Sequence, residues 1–283
     1  MRTAGLLAAG LCPPVRAAQQ RAIDAIGARL EPARKLVYKE VDGRKLHLHL
    51  FEPEGAAPEG GRPAFLIIHG GGWTGGAPRQ FYPMADYFAR KGMLAACLEY
   101  RLMRVGSGET PAMCVRDARS AMRYLKSHAG ELAIHPARIA AAGGSAGGHL
   151  AAGTSLFTGM DEAGDRRELD PTPAALVLWY PVIDTSEQGY GHAKCGAEWR
   201  SLSPLHQVRA GLPPTRLFHG TGDTVTPYAG AEAFDRAMRT AGNECELIPH
   251  PGGVHGYFLY DLQLFEDAMA RTARFLQSKR LIP

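Results

Sequence analysis

Between residues 35 and 50 polar and apolar positions alternate, in Lys35-Leu36-Val37-Tyr38-Lys39 and again in Lys45-Leu46-His47-Leu48-His49-Leu50, on either side of Asp42-Gly43. Period-two alternation around Asp-Gly predicts an antiparallel hairpin. His47 and His49 fall on one face of its second strand. That face reads as a solvated edge, because no third metal-ligand candidate lies nearby in sequence. The period then changes. Residues 64–68, 93–98, 138–142, 174–179 and 217–219 are short apolar runs, the pattern of strands buried on both faces of a parallel sheet, and 244–248 reads as a further strand. Helical stretches separate them at 80–91, at 111–128, after residue 145, at 227–241 and at 257–278. Pro111 stands at the first turn of its helix, where a missing N–H costs nothing. Strands alternating with helices of this length imply right-handed βαβ crossovers. The expected fold is α/β, with a mostly parallel central sheet of about eight strands flanked by helices and an antiparallel hairpin at its start.

The first 34 residues stand apart from this pattern. Met1-Arg2, an apolar stretch from Ala4 to Leu11 and the small-x-small exit Val15-Arg16-Ala17 read as a signal peptide over residues 1–17, with an ordinary N-terminal helix as the alternative. Cleavage would place the protein outside the cytoplasm, secreted or periplasmic; retention would leave it cytoplasmic. Residues 18–34 then hold a short cap helix at 19–30, and residues 35–283 form a single α/β domain. No other stretch approaches the roughly 20 apolar residues of a membrane-spanning helix.

Composition narrows the class and little else. In 283 residues, 45% hydrophobic and 21% charged content is ordinary for a globular chain and argues against global disorder. The net charge of +4 comes from scattered Lys and Arg with no basic stripe, so nucleic acid is a poor partner. Cys12, Cys97, Cys114, Cys195 and Cys245 show no C-x-x-C and no metal spacing with histidine, so no metal site is expected. Removal of Cys12 would leave four, and a bridge among them cannot be assigned from spacing.

The chemistry sits in two glycine motifs. Gly143-Gly144-Ser145-Ala146-Gly147 lies between an apolar strand and a helix, the arrangement of a nucleophile elbow. Glycines flanking the serine let backbone and helix pass close to a residue held in strained φ/ψ. His69-Gly70-Gly71-Gly72-Trp73 follows the buried run at 64–68. There, backbone N–H groups can converge without side-chain bulk on the oxyanion of an acyl-transfer intermediate. Both motifs stand at the carboxyl ends of strands, where ligands bind in open α/β sheets.

A serine needs a base within hydrogen-bond reach and a group to orient that base. Asp223, in His219-Gly-Thr-Gly-Asp223, and His255, in Gly252-Gly-Val-His255-Gly256, each occupy a turn between strand and helix. Their order, Ser145, Asp223, His255, is that of α/β-hydrolases. His250 is stiffened by Pro249 and Pro251; His219 reads as packed near the site, His149 as lying behind the nucleophile, and His69 as a prop for the glycine loop. Asp184 is the rival carboxylate, read as fixing a loop. Residues 162–173 read as a charged, Pro-rich surface loop. Residues 189–199, with Tyr190 and Trp199, read equally as part of an alcohol-side pocket or as plain surface.

These residues, with Tyr100-Arg101-Leu102 and Ser203-Pro204-Leu205-His206, resemble bacterial carboxylesterases of the hormone-sensitive-lipase-like group of α/β-hydrolases, nearest to acetyl-xylan and feruloyl esterase-like members. The resemblance runs from residue 35 to the C-terminus. It implies Ser145 as nucleophile, His255 as base and then acid, Asp223 as its orienter, and the N–H groups of Gly71, Gly72 and Ala146 as oxyanion hole; Trp73, Tyr190 and Trp199 are the candidate substrate contacts beside them. It further implies a small ester or acylated carbohydrate as substrate and no cofactor. The long helical cap of larger relatives has no counterpart here beyond residues 19–30. Amide or formamide hydrolysis on the same triad, and a catalytically silent binding module, are the alternatives.

Overall fold

The computed structural model describes residues 21–282; the segment read as a signal peptide, with Cys12, lies outside them. Eight strands, β1 (Arg34–Val41), β2 (Arg44–Phe51), β3 (Arg62–Ile68), β4 (Leu94–Leu98), β5 (Ile134–Gly144), β6 (Leu176–Trp179), β7 (Thr215–Gly220) and β8 (Cys245–His250), form one sheet in the order β1-β2-β4-β3-β5-β6-β7-β8. Only the β1–β2 and β2–β4 pairings are antiparallel. The hairpin turns on Asp42 and Gly43, both at positive φ, as a two-residue Asp-Gly loop requires. From β3 to β8 every pairing is parallel.

The helices are α1 (Asp24–Gly27), α2 (Tyr82–Ala89), α3 (Ala112–Ser127), α4 (Ala146–Leu156), α5 (His192–Cys195), α6 (Tyr228–Thr240) and α7 (Leu262–Ser278). Those that flank the sheet divide between its faces. Val115 and Leu125 of α3, Leu150 of α4 and Phe234 of α6 pack with Leu66, Ile68 and Leu178. Met84 and Phe88 of α2 and Phe265 and Leu276 of α7 pack with Phe65, Ile67 and Val177. Consecutive side chains of one strand thus enter opposite cores, which is why β3 and β4 are apolar without interruption. Parallel register aligns the strand ends: Ile68 faces Gly143, Gly144 faces Trp179, and Trp179 faces Phe218. Everything that follows a carboxyl end therefore emerges on one rim.

Three local expectations change. Of the helix expected at 19–30, the described part is helical only at Asp24–Gly27, because Arg79 takes the Gly27 and Ala28 carbonyls at 3.3 and 2.9 Å and ends it. The helix expected from 257 begins at Leu262. Residues 257–259 form a 3₁₀ turn, and the Asp261 carboxylate caps α7 by accepting the N–H groups of Gln263 and Leu264. The β2 histidines are not on a solvated edge, since β2 lies between β1 and β4 and Tyr82 packs against His49: His49 is buried with its Nδ1 2.5 Å from the Tyr82 hydroxyl, and His47 meets Glu99 at 2.9 Å. Residues 162–173 form the expected surface loop. Glu162 pairs with Lys39 at 2.6 Å, and Asp165 with Arg123 at 2.9 Å, which ties the loop to β1 and α3. Cys97, Cys114, Cys195 and Cys245 are buried free thiols. No described helix is long and apolar enough to cross a membrane.

Candidate active site

Ser145 follows the last residue of β5 and precedes the first of α4, at φ 56° and ψ −124°. A non-glycine residue is strained there, and only surrounding structure can hold it. The Ser145 N–H donates to Trp179 O at 3.0 Å, while the Ser145 carbonyl accepts from Val182 N at 3.0 Å and His149 N at 3.2 Å. The close approach is made possible by two glycines. A Cβ on Gly143 would lie 2.2 Å from Gly147 O, and one on Gly147 would lie 2.1 Å from Ile68 O. The strained turn holds the hydroxyl clear of the helix at the rim of the sheet.

His255 comes from the connection between β8 and α7, and Asp223 from that between β7 and α6. The three residues, 110 and 32 positions apart in sequence, meet in a line: Ser145 Oγ lies 2.9 Å from His255 Nε2, and His255 Nδ1 lies 2.8 Å from Asp223 Oδ2. A carboxylate can only accept, so Nδ1 carries a proton. In the neutral ring Nε2 is then the acceptor, and it takes the Ser145 hydroxyl hydrogen. The Tyr180 ring meets the His255 ring edge to face at 5.1 Å and fixes its plane.

Asp223 is a buried anion with every lone pair engaged. Oδ1 accepts from Val225 N at 2.8 Å and Thr226 N at 2.9 Å; Oδ2 accepts from the Thr226 hydroxyl at 2.9 Å as well as from His255. His219 Nε2 lies 3.3 Å away on the Oδ2 side and donates to Thr226 O at 2.7 Å. Burial alone would raise the Asp223 carboxyl. The hydrogen bonds from His219, His255 and Thr226 outweigh it and hold the group far below the usual carboxylate range. Asp184 is elsewhere: its carboxylate accepts from Ser186 N and Oγ at 2.8 and 2.9 Å and closes its own loop. His250 stacks on Tyr257 with ring centroids 4.2 Å apart and does not reach the serine.

Beyond β3, Gly71, Gly72 and Trp73 all have positive φ, of 125°, 59° and 64°. Thr74 and Gly75 donate their N–H groups to Gly71 O at 3.2 and 3.0 Å, forming a tight turn. Among the described residues the N–H groups of Gly71, Gly72 and Ala146 have no acceptor; Ala146 opens α4, where such groups are orphans. His69 supports the turn, its Nδ1 2.7 Å from Gly70 O, and Tyr100 stacks on that ring and donates its hydroxyl to His69 O at 3.0 Å. Burial pushes the His69 and His149 imidazoles down to about 4, so both stay neutral. His149 donates from Nε2 to Leu202 O at 2.6 Å, behind the serine.

A cavity of about 250 Å³ opens onto Ser145 and His255, walled by Gly70–72, Phe81, Tyr180, Tyr190, Leu259, Tyr260 and Arg21. Of the three aromatic substrate contacts expected, Tyr190 lines it. Trp73 is fully buried against His149 and Tyr190, and Trp199 is wedged between His192 and His206 away from the cavity. Both support the loop that carries Tyr190. Sequence reasoning missed Tyr180 and Arg21. Tyr180 had a signal, since it directly follows a strand at the functional rim. Arg21 had none, because its place depends on how a short N-terminal segment folds back.

Comparison with known proteins bears on the family and the fold. The family model BD-FAE matches residues 48–238. Acetylxylan esterase of Xylanibacter ruminicola is 28% identical over 86% of this chain and 51% of its own length. A probable isoprenylcysteine alpha-carbonyl methylesterase of Arabidopsis thaliana is 25% identical over 88% of this chain and 59% of its own. This chain thus spans just over half the length of these curated relatives. Among solved structures, esterase 2 of Thermogutta terrifontis with butyrate bound superposes with a TM-score of 0.82 at 36% identity, covering 88% of this chain and 96% of that one.

Proposed function

The chain belongs to the BD-FAE family of α/β-hydrolases, and from that premise we propose that it is a carboxylic ester hydrolase that cleaves short-chain acyl esters through a covalent acyl-Ser145 intermediate. The observation that carries this reading is the unbroken line from Asp223 through His255 to Ser145, at 2.8 and 2.9 Å.

In the first step Ser145 Oγ attacks the ester carbonyl carbon while His255 Nε2 takes its proton. The imidazolium is stabilised by the Asp223 carboxylate, which stays ionised because its donors are already in place. The carbonyl oxygen, now negative, enters the space before the unpaired N–H groups of Gly71, Gly72 and Ala146, each worth about 2.7 to 4 kcal/mol in the barrier. His255 returns the proton to the departing alcohol oxygen. A water molecule then repeats the sequence on the acyl-enzyme, giving the free acid and Ser145.

A cavity of about 250 Å³, closed by Phe81, Tyr180 and Leu259, suits acyl groups of a few carbons. The names of the relatives support the same size: one acts on acetylated xylan, and structures of another hold propionate and butyrate.

Hydrolysis of p-nitrophenyl esters from acetate to decanoate tests this reading, beside the p-nitroanilide of the best acyl group. The expected optimum lies between acetate and butyrate, with the anilide far slower. A long-chain optimum would remove the short-acyl assignment. An anilide turned over faster than its ester would make the protein an amide hydrolase.

A further inference from the structure

Among the described residues Arg21 is the only Lys, Arg, Asp or Glu on the wall of the catalytic cavity. Its guanidinium makes no ion pair or hydrogen bond among the described residues, whereas the nearby Arg79 is paired with Glu31 at 2.9 Å. Arg21 is half-buried, and its position is built into the fold. Two residues on, Ile23 is packed in the core and donates its N–H at 3.3 Å to the carbonyl of Leu259, itself a wall residue. Arg21 and Tyr180 line the same cavity; burial raises the Tyr180 phenol and the charge of Arg21 acts the other way. A second cation stands at the rim: Lys194 donates to Gly72 O at 3.1 Å and to the Tyr190 hydroxyl at 3.4 Å. Asp223 does not line the cavity; its carboxylate is engaged by its own donors and lies behind His255.

An arginine cannot shed its proton, and its planar fork of donors matches a carboxylate. On the same cavity wall as Ser145, it has no counter-charge among the described residues. We propose that the site selects esters carrying a carboxylate a few bonds from the scissile carbonyl, with Arg21 as the group that binds it. The inference rests on the esterase reading. It adds a charge to the substrate: a half-ester of a short dicarboxylic acid, or a short acyl ester of a hydroxy acid. Without the arginine such a substrate would be disfavoured against a neutral one, since its carboxylate repels the developing oxyanion.

The test compares matched pairs in a pH-stat with the full chain. Monomethyl succinate and monomethyl glutarate, against methyl butyrate and methyl valerate, place the carboxylate on the acyl side. The acetyl ester of 3-hydroxypropanoate, against propyl acetate, places it on the alcohol side. Wild type is expected to favour the charged member of one pair, and the favoured pair identifies the side. In Arg21→Gln the charged-to-neutral ratio of kcat/KM should fall about tenfold, chiefly through KM. Arg21→Lys, which keeps the charge but loses the fork, should recover part of it. Ser145-dependent hydrolysis of the neutral esters with no preference for charged ones, or a ratio unmoved by Arg21→Gln, would overturn this inference and leave the esterase reading intact. Hydrolysis of neither class would overturn both.

Discussion

Thr226 donates twice to Asp223, from its backbone N–H to Oδ1 and from its hydroxyl to Oδ2, each at 2.9 Å. The pair decides what an amide at position 223 would do. In Asp223→Asn the amide oxygen must stay at Oδ1, where two backbone N–H groups point, so the NH₂ falls opposite His255 Nδ1. The imidazole then presents a lone pair to it and an N–H to Ser145, the wrong tautomer for a base. We expect kcat to fall about 10⁴-fold with the fold retained. Asp184→Asn, which disturbs only a loop closed on Ser186, should leave kcat little changed. Steady-state kinetics on both variants checks the assignment; the reverse pattern would make Asp184 the orienting acid.

Asp117 is fully buried and accepts from Lys39 Nζ at 2.7 Å, from Arg101 Nη2 at 2.7 Å and from Arg101 N at 2.9 Å. Removing it by Asp117→Ala leaves two largely buried cations with only Glu162 between them, at an expected cost of about 3 to 5 kcal/mol in urea unfolding. Because Arg101 adjoins Tyr100, whose hydroxyl holds the His69 carbonyl, kcat should drop as well. A loss under 1 kcal/mol would mean that the network is not holding β4 to α3.

Acid should weaken the fold over a defined window. His69 and His149 are neutral when folded, with burial holding their rings near 4, while an unfolded histidine titrates near 6.5. Between those values the unfolded chain binds more protons, so stability rises with pH from about 4 to 6.5 and levels off above it. Asp223, depressed when folded, adds in the same direction at the acid end. Thermal melts from pH 4.5 to 8 should show Tm climbing and then flattening. A Tm constant across pH 4.5 to 7 would rule out buried neutral histidines.

The fold was legible because its strands are buried on both faces or alternate cleanly. Residues 64–68 and 93–98 have no polar interruption, and Asp42-Gly43 can form little but a hairpin turn. The places of Ser145, Asp223 and His255 were legible for a related reason: each follows a strand, and parallel strands end on one rim. What stayed hidden depends on partners distant in sequence. The alternation of β2 implied a wet face for His49, and only the pairing with β4 and the Tyr82 hydroxyl shows otherwise. Residues 162–173 are the surface loop that their charges suggest, but the pairing of Glu162 with Lys39 and of Asp165 with Arg123 was not legible in sequence. Trp73 and Trp199 looked like binding aromatics, yet Trp73 packs against Tyr190 and Trp199 between His192 and His206.

The central claim is that Ser145 alone becomes acylated, and covalent trapping tests it most directly. A dialkyl aryl phosphate such as paraoxon transfers its phosphoryl group to an activated serine and cannot complete the cycle. Intact-mass measurement should show one adduct per chain, on the peptide containing Ser145, with ester hydrolysis lost in proportion, and Ser145→Ala should take up none while losing about 10⁵- to 10⁶-fold in kcat. An adduct on another residue, or a Ser145→Ala variant that still labels and still hydrolyses esters, would contradict the account.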